Sequence, residues 1–322
     1  MAPPSPWPPA GPPPTRRALG VTLILGASLW FALLDTNAKF LGQQLPVAAI
    51  LWCRYGVQAL LMAVWLMVLQ ARSGRRMFVT AHPRFQALRG VLLLLCSALL
   101  FFGVQHMPVA EYTAVGMLTP VVATVLAALF LHERLTPLRA ALVVGGFAGA
   151  LTIVRPGSAL FGWFLVFPLA MTLAYAVFQL LTRKLAGLEH PLTTHFYTGL
   201  VGTVVMTAVM LLSPGHPWQA LTGATPQQAG LLFFAGLAGT AGHLCLILAL
   251  GMAPMATLMP FTYSQIAFAS LAGWVVFRHV PDGWAFAGMA IVAACGAASV
   301  WLSLRDAQHA RAAREDAAPI AD

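Results

Sequence analysis

Residues 227–253 read QQAGLLFFAGLAGTAGHLCLILALGMA, a stretch of 27 residues without Asp, Glu, Lys or Arg. An α-helix needs about 20 mostly apolar residues to cross a bilayer, so this stretch predicts a transmembrane helix. Comparable segments lie at 18–40, 46–70, 85–107, 108–131, 137–155, 160–183, 191–213, 254–279 and 283–304. The sequence therefore predicts an all-α integral membrane protein with ten transmembrane helices.

The composition supports the same fold class. Hydrophobic residues make up 59% of the 322 residues and charged residues only 8%, whereas soluble domains carry about 25% charged residues. The net charge of +9 does not indicate a nucleic-acid partner, because the basic residues lie in short gaps between apolar segments, where they orient the helices. We expect a lipid bilayer as the surrounding medium.

The distribution of Lys and Arg predicts the orientation. With the N-terminus in the cytoplasm, 14 of the 18 basic residues fall on the cytoplasmic side, three at outer ends, and Arg54 within a span. Cytoplasmic loops carry such an excess. We therefore expect a bacterial-type inner-membrane protein with both termini in the cytoplasm, a disordered Pro-rich tail at 1–15 and a C-terminal tail at 306–322.

The two halves of the chain, 16–157 and 158–305, resemble each other. Residues 105–110 align with 251–256 at a shift of 146, and Trp30 aligns with Tyr175 at a shift of 145. Each half holds five predicted spans, and because five is odd the second half must be inverted. Inverted five-helix repeats place a binding site near the bilayer midplane and give alternating access by rocking about it.

A polar stripe runs along the sixth predicted span. Thr172, Tyr175, Gln179 and Thr182 follow Pro168 at steps of four, three, four and three residues, which places them on one helix face. They could line a cavity or form interhelix hydrogen bonds, and Pro168 itself could kink the helix. His243 is either a cavity residue or a hydrogen-bonded packing residue. The expected cavity residues are Trp30, Tyr112, Tyr175, Gln179, His243, Tyr263 and Gln265.

A few charged residues lie within or beside the outer halves of the spans. Asp35 and Lys39 are four residues apart and can pair on one helix face, and Arg54 and Glu111 lie at a similar depth. These four residues form either a structural ion-pair cluster at the interface, with the basic side chains reaching outward, or a gate that also holds the charged groups of a substrate.

Several features resemble the drug/metabolite transporter superfamily. They are the five-plus-five pattern, Leu29-Trp30 with Asn37 and Lys39, and the stretch Leu131-His132-Glu133-Arg134-Leu135-Thr136 before a glycine-rich span. Within the superfamily the chain resembles ten-helix EamA-type exporters, most closely the bacterial aromatic amino-acid exporters. This resemblance implies export of neutral and aromatic amino acids. The position that matches Glu133 in the second half is His279, where family members often keep a glutamate.

The sequence predicts a secondary transporter rather than an enzyme. It contains no HExxH, GxSxG or phosphate-binding loop, and no metal-ligand spacing, so we expect no cofactor, no metal and no ATP-binding domain in this chain. Its predicted partner is a small molecule, an amino acid or similar metabolite. Two alternatives are efflux of cationic drugs or quaternary ammonium compounds, which needs a cavity carboxylate and aromatic rings, and a membrane-embedded transferase.

Overall fold

A computed structural model of the chain describes residues 14–106, 115–133, 135–154, 163–213, 217–277 and 283–315, and all regular structure within these ranges is helical. The helices are α1 Pro14–Leu41, α2 Val47–Ser73, α3 Pro83–His106, α4 Thr119–Phe130, α5 Pro137–Val154, α6 Val166–Leu185, α7 Pro191–Leu212, α8 Pro217–Thr222, α9 Pro226–Met252, α10 Met255–Thr262, α11 Ser264–Phe277 and α12 Gly283–Glu315. A single 3-10 turn, Trp163–Leu165, precedes α6.

Six segments of the described helices are long and apolar enough to cross a membrane: Arg16–Ala38, Val47–Ser73, Pro83–Leu100, Trp163–Leu185, Pro191–Leu212 and Pro226–Met252. Three shorter apolar helices lie at Thr119–Phe130, Pro137–Gly149 and Phe286–Ala298. Large hydrophobic side chains such as Leu60 and Leu211 are exposed on the outside of the bundle, which suits contact with lipid. The all-helical membrane fold is therefore confirmed, and ten spans remain a prediction.

Proline positions explain where several helices begin. Pro83, Pro137 and Pro191 are each the first residue of a helix, where the missing N–H has no intrahelical partner to lose. Pro168 is the third residue of α6 and also lies in the first turn. Pro168 therefore lies where the 3-10 turn passes into the α-helix, and the kink expected there stays a prediction.

The ninth predicted span is divided in two. Pro260 lies inside α10, which ends at Thr262, and α11 begins at Ser264. A proline inside a helix removes one hydrogen bond and crowds the preceding turn, so the short α10 and the break after it have a local cause. At the other end of the chain, α12 continues to Glu315, so residues 306–315, expected in the tail, are helical.

Contacts between helix ends define two faces of the bundle. On one face, Thr193 donates to the Met77 carbonyl at 2.6 Å and Arg183 donates to the Leu250 carbonyl at 2.6 Å. This basic face comprises the helix ends near residues 73–83, 130–139, 183–193 and 250–257. On the opposite face, Asn37 donates to the Leu231 carbonyl at 2.9 Å.

The helices pack in pairs that link the two halves of the chain. Helix α1 packs against α9, α3 against α6, α2 against α7, and α5 against α12. Close approach depends on small residues: a Cβ at Gly236 would lie 2.4 Å from Val57, and one at Gly202 would lie 2.5 Å from the Tyr55 ring. Larger residues at these two positions would push α2 away from α7 and α9.

Candidate substrate cavity

Four rings from three helices meet in the middle of the bundle. We call Phe31 of α1, Tyr175 and Phe178 of α6, and His243 of α9 the aromatic layer. The His243 ring meets Phe31 edge to face at 4.7 Å and lies 5.9 Å from Phe178 between ring centroids. Tyr175 and Phe178 are nearly parallel at 5.6 Å. Gly242 permits this approach, because a Cβ there would lie 2.7 Å from the Phe31 ring.

His243 lies in the layer without hydrogen bonds. Its side chain is 3% exposed, and neither ring nitrogen has a partner within the described part of the chain. Buried polar groups in proteins are usually paired, so the two nitrogens without a described partner favour the cavity function of His243, which stays a prediction. Its ring nitrogens remain free to bond a ligand that enters the layer.

The polar residues of the α6 stripe fall into two groups with different contacts. Thr172 donates to the Val115 carbonyl at 3.3 Å and Thr182 accepts from Arg89 at 2.6 Å, so both make interhelix hydrogen bonds. Tyr175 is half-buried beside the aromatic layer, and the buried Gln179 has an Oε1 atom that no described residue contacts by a hydrogen bond. Only these two residues of the stripe are placed to meet a ligand.

Asp35 and Gln265 form a polar pair on the side of the aromatic layer that is away from the basic face. Gln265 Nε2 donates to Asp35 Oδ2 at 2.9 Å, and Asp35 follows Phe31 by one turn of α1, about 6 Å along the axis. The Asp35 side chain is exposed. Its carboxylate is therefore accessible one helical turn from the aromatic layer.

Arg54 lies nearby but has a different partner. Its Nη1 donates to Ser97 Oγ at 3.1 Å, its guanidinium lies 5.1 Å from the centre of the Tyr55 ring, and the Tyr55 hydroxyl also contacts Ser97 at 3.1 Å. Arg54 therefore ties α2 to α3. Of the other residues expected in this cluster, Glu111 and the side chain of Lys39 lie outside the described residues, as does the expected cavity residue Tyr112.

Two other expected cavity residues are not among the four rings of the aromatic layer. Trp30 packs with Leu34, Ala235 and Ala238 in a cluster that Phe31 also contacts. Tyr263 is fully buried in another cluster, and a Cβ at Gly146 of α5 would lie 2.5 Å from its ring. The structure thus brings Tyr175, Gln179 and His243 together, with Asp35 and Gln265 one turn away.

Three central residues were not predicted. Phe31 and Phe178 belong to the aromatic layer, and Arg89, interpreted as an orientation signal, is fully buried with its guanidinium 4.6 Å from the centre of the Phe178 ring. Arg89 donates to Thr182 and Thr198. The available signal was its position: it lies six residues after the start of α3, about 9 Å inside the helix.

The bundle is closed at the basic face. Glu133, in the loop after α4, accepts from Arg183 Nε at 2.9 Å and from the Met255 backbone N–H at 2.8 Å. A carboxylate is stabilised at a helix N-terminus such as that of α10. Met255 through Phe261 are all buried, so α10 fills the space between the aromatic layer and this face.

A second contact at the basic face involves Glu189, between α6 and α7. Its carboxylate accepts from Thr80 Oγ1 at 2.7 Å and from the backbone N–H and ring of His82, both at 2.9 Å. Burial raises the pKa of Glu189, but these hydrogen bonds outweigh burial and hold the pKa below its ordinary value. Glu189 therefore fixes the loop between α2 and α3 as a carboxylate.

The described residues contain no group of three or more His, Cys, Asp or Glu side chains that could hold a metal ion. The groups in and beside the aromatic layer are ring faces, an amide, a carboxylate and imidazole nitrogens without a described partner.

Comparison with known proteins assigns the fold and cavity to a class. Residues 18–155 match the EamA-like transporter family. A riboflavin transporter of Rhizobium johnstonii is 30% identical over 87% of this chain and 90% of its own length. The chain belongs to the EamA-like transporter family and is a multi-pass membrane transporter. The resemblance to this family is thereby confirmed.

Other similarities extend along most of the chain. The pseudopaline exporter CntI of Pseudomonas aeruginosa is 28% identical over 87% of this chain and 95% of its own. A solved crystal structure covers 91% of this chain with a TM-score of 0.73 at 16% identity, which supports the fold alone. These relatives are named for riboflavin and pseudopaline, so they give no support to the expected resemblance to amino-acid exporters.

Proposed function

We propose that this protein is a secondary transporter of the inner membrane that carries a small metabolite with a planar ring, with riboflavin as the first substrate to test. The observation that carries the proposal is the aromatic layer, in which rings from three helices meet, with the Asp35–Gln265 pair one helical turn away. Flat rings stack favourably on such side chains.

The packing pattern supports alternating access between inverted halves. An inverted repeat would match α1 with α6, α2 with α7, α3 with α9, α4 with α10 and α11, and α5 with α12. The counterpart of the contact between α1 and α9 is then the contact between α6 and α3. The counterpart of the contact between α2 and α9 is the contact between α7 and α3. Three further contacts each join a helix to its own counterpart in the other half: α2–α7, α4–α10 and α5–α12. All these contacts are observed. A site on the axis between such halves can open to either face. We place the basic face in the cytoplasm, following the positive-inside rule.

Riboflavin is the first choice because it has a flat ring and because it is the named substrate of the 30% identical relative. Neutral and aromatic amino acids, and the outward direction of transport, remain predictions from the sequence alone. A membrane-embedded transferase is disfavoured by the family assignment.

A specific observation favours a second candidate, the transport of organic cations. Asp35 is exposed and accepts a hydrogen bond from the Gln265 amide. A carboxylate close to aromatic rings is the chemistry that binds quaternary ammonium groups. Asp35 lies one turn of α1 from Phe31 of the aromatic layer.

Flavin fluorescence tests the proposed substrate directly. Riboflavin is titrated with purified protein in detergent, because stacking of the flavin on Tyr175 or His243 quenches its emission. We expect saturable quenching in the native protein and in Leu173→Ala, which changes an exposed residue of the same helix, and about tenfold weaker binding in Tyr175→Ala. Absence of quenching, with binding of tetraphenylphosphonium, would replace riboflavin by the cationic candidate.

A further inference from the structure

Arg89 carries a positive charge for which the described residues supply no carboxylate partner. Its side chain has no exposed surface. The ion pairs described at this face join Glu133 to Arg183 and Glu189 to His82, and neither includes Arg89. Burying an ion without a counter-charge costs several kcal/mol, so a fully buried guanidinium without a described carboxylate partner calls for another source of negative charge.

The hydrogen bonds of Arg89 leave one edge of its guanidinium unused. Nε donates to Thr182, and Nη1 donates to the Thr194 carbonyl and the Thr198 hydroxyl. Guanidinium has five N–H donors. Nη2 is buried and donates to no residue in the described ranges. The three neutral partners hold the group in a fixed orientation while leaving donors and charge for another acceptor.

The position of Arg89 connects this charge to the cavity. Its guanidinium lies 4.6 Å from the centre of the Phe178 ring, and Phe178 stacks on Tyr175. Two further polar atoms near the layer, Gln179 Oε1 and the His243 nitrogens, also lack hydrogen bonds from described residues. A ligand with its ring against Phe178 could thus carry an acidic group that reaches Arg89.

We propose that Arg89 is an oxyanion subsite, which binds a carboxylate or phosphate group attached to the ring compound that the aromatic layer accepts. The proposal rests on the proposed transport function and extends its substrate class from neutral rings to organic anions. Arginine suits this function because its planar fork matches two oxygens of one oxyanion. The hydroxyls of Thr182 and Thr198 then act as positioning groups.

A matched pair of small probes tests the subsite without the transported substrate. Benzoate and benzamide have the same ring and similar size, but only benzoate is an anion. In thermal unfolding of the purified protein at constant ionic strength, benzoate at ten times its Kd is expected to raise Tm by about 3–6 °C, and benzamide by much less. The rise should vanish in Arg89→Gln and persist in Arg84→Gln, which removes an exposed charge from the same helix.

Two further variants separate binding from folding. Arg89→Lys keeps the charge without the fork and is expected to retain part of the benzoate shift. Glu189→Gln removes the carboxylate that fixes the loop between α2 and α3, away from Arg89, and should lower the basal Tm while the benzoate shift remains. Equal shifts by both probes, no shift by benzoate, or a full benzoate shift in Arg89→Gln would each overturn the proposal. Failure of the transport proposal would instead appear as absence of riboflavin quenching.

Discussion

Glu133 and Arg183 form an ion pair that joins the first half of the chain to the second at the basic face, with 2.9 Å between Glu133 Oε1 and Arg183 Nε. The same carboxylate accepts from the N-terminus of α10, and the same guanidinium donates to the end of α9. In the sequence Glu133 was part of a family resemblance. In the structure it closes one side of the candidate cavity.

Breaking this pair is expected to open the basic face. A hydrogen bond to a charged group contributes about 1.5–3 kcal/mol, so Glu133→Gln should favour the open state by a factor of ten or more. The readout is the labelling rate of a cysteine at Ala253, which is fully buried, by a membrane-impermeant maleimide in a background without the native cysteines. We expect at least fivefold faster labelling from the basic face.

The controls for this change are an exposed charge and a charge swap. Arg72→Gln removes an exposed positive charge from the same face and should leave the labelling rate unchanged. Glu133→Arg combined with Arg183→Glu should slow labelling again relative to either single change. Unchanged labelling in Glu133→Gln would show that the pair does not control this face.

Substitutions at Tyr175 and Gln179 should alter ligand affinity more than stability. Tyr175 is half-buried and Gln179 Oε1 lacks a described partner. The two side chains share one hydrogen bond within α6, so either truncation costs at most this local contact. Each 1.4 kcal/mol of lost binding weakens affinity about tenfold. We expect about tenfold weaker riboflavin binding with nearly unchanged Tm.

One result would contradict the prediction for Tyr175 and Gln179. Lower Tm with unchanged transport per folded molecule would show the α6 stripe to be structural. The same comparison with Trp30→Ala tests the sequence-based prediction for Trp30, which packs beside Leu34 and Ala238 in a cluster that Phe31 also contacts.

Asp35→Asn separates the two substrate classes. The change keeps the shape of the side chain and an oxygen that can accept from Gln265, but it removes the cavity charge. If the substrate is riboflavin, its Kd should change by less than about threefold, whereas binding of tetraphenylphosphonium should weaken tenfold or more. A tenfold loss for riboflavin would place the carboxylate in direct contact with the flavin.

Glu189 should make the loop between α2 and α3 sensitive to acid. Its pKa in the folded protein lies below the ordinary value of 4.5, so the carboxylate contributes stability above that value and loses it as pH falls through the folded pKa. Glu189→Gln should therefore unfold at lower temperature than the native protein at pH 7, with the difference shrinking below pH 4.5. A difference that is constant with pH would exclude this contribution.

Hydropathy and periodicity were sufficient for the membrane fold and for the face of α6 that carries Tyr175 and Gln179. They could not choose between Trp30 and Phe31, because adjacent residues of a helix point only 100° apart and the packing of α9, through Gly242, decides which ring meets His243. Pro260 signalled a local disturbance, but whether it bends a helix or divides it depends on the neighbours.

The burial of Arg89 could not be predicted from the sequence. An arginine six residues into a span is compatible with reaching the membrane surface or with facing the bundle interior, and only the packing of α3 against α6 and α7 makes it buried. The pairing of Asp35 with Gln265, 230 residues apart, is likewise a product of the tertiary fold.

Transport of riboflavin by the purified protein in liposomes tests the central claim most directly. Liposomes loaded with unlabelled riboflavin and free of ATP are placed in labelled riboflavin, and the label that enters is counted, with phenylalanine and tetraphenylphosphonium measured in parallel. We predict transient accumulation of labelled riboflavin, reduced about tenfold in Tyr175→Ala and unchanged in Leu173→Ala. Accumulation of tetraphenylphosphonium or phenylalanine without riboflavin, or of none of the three, would contradict the account.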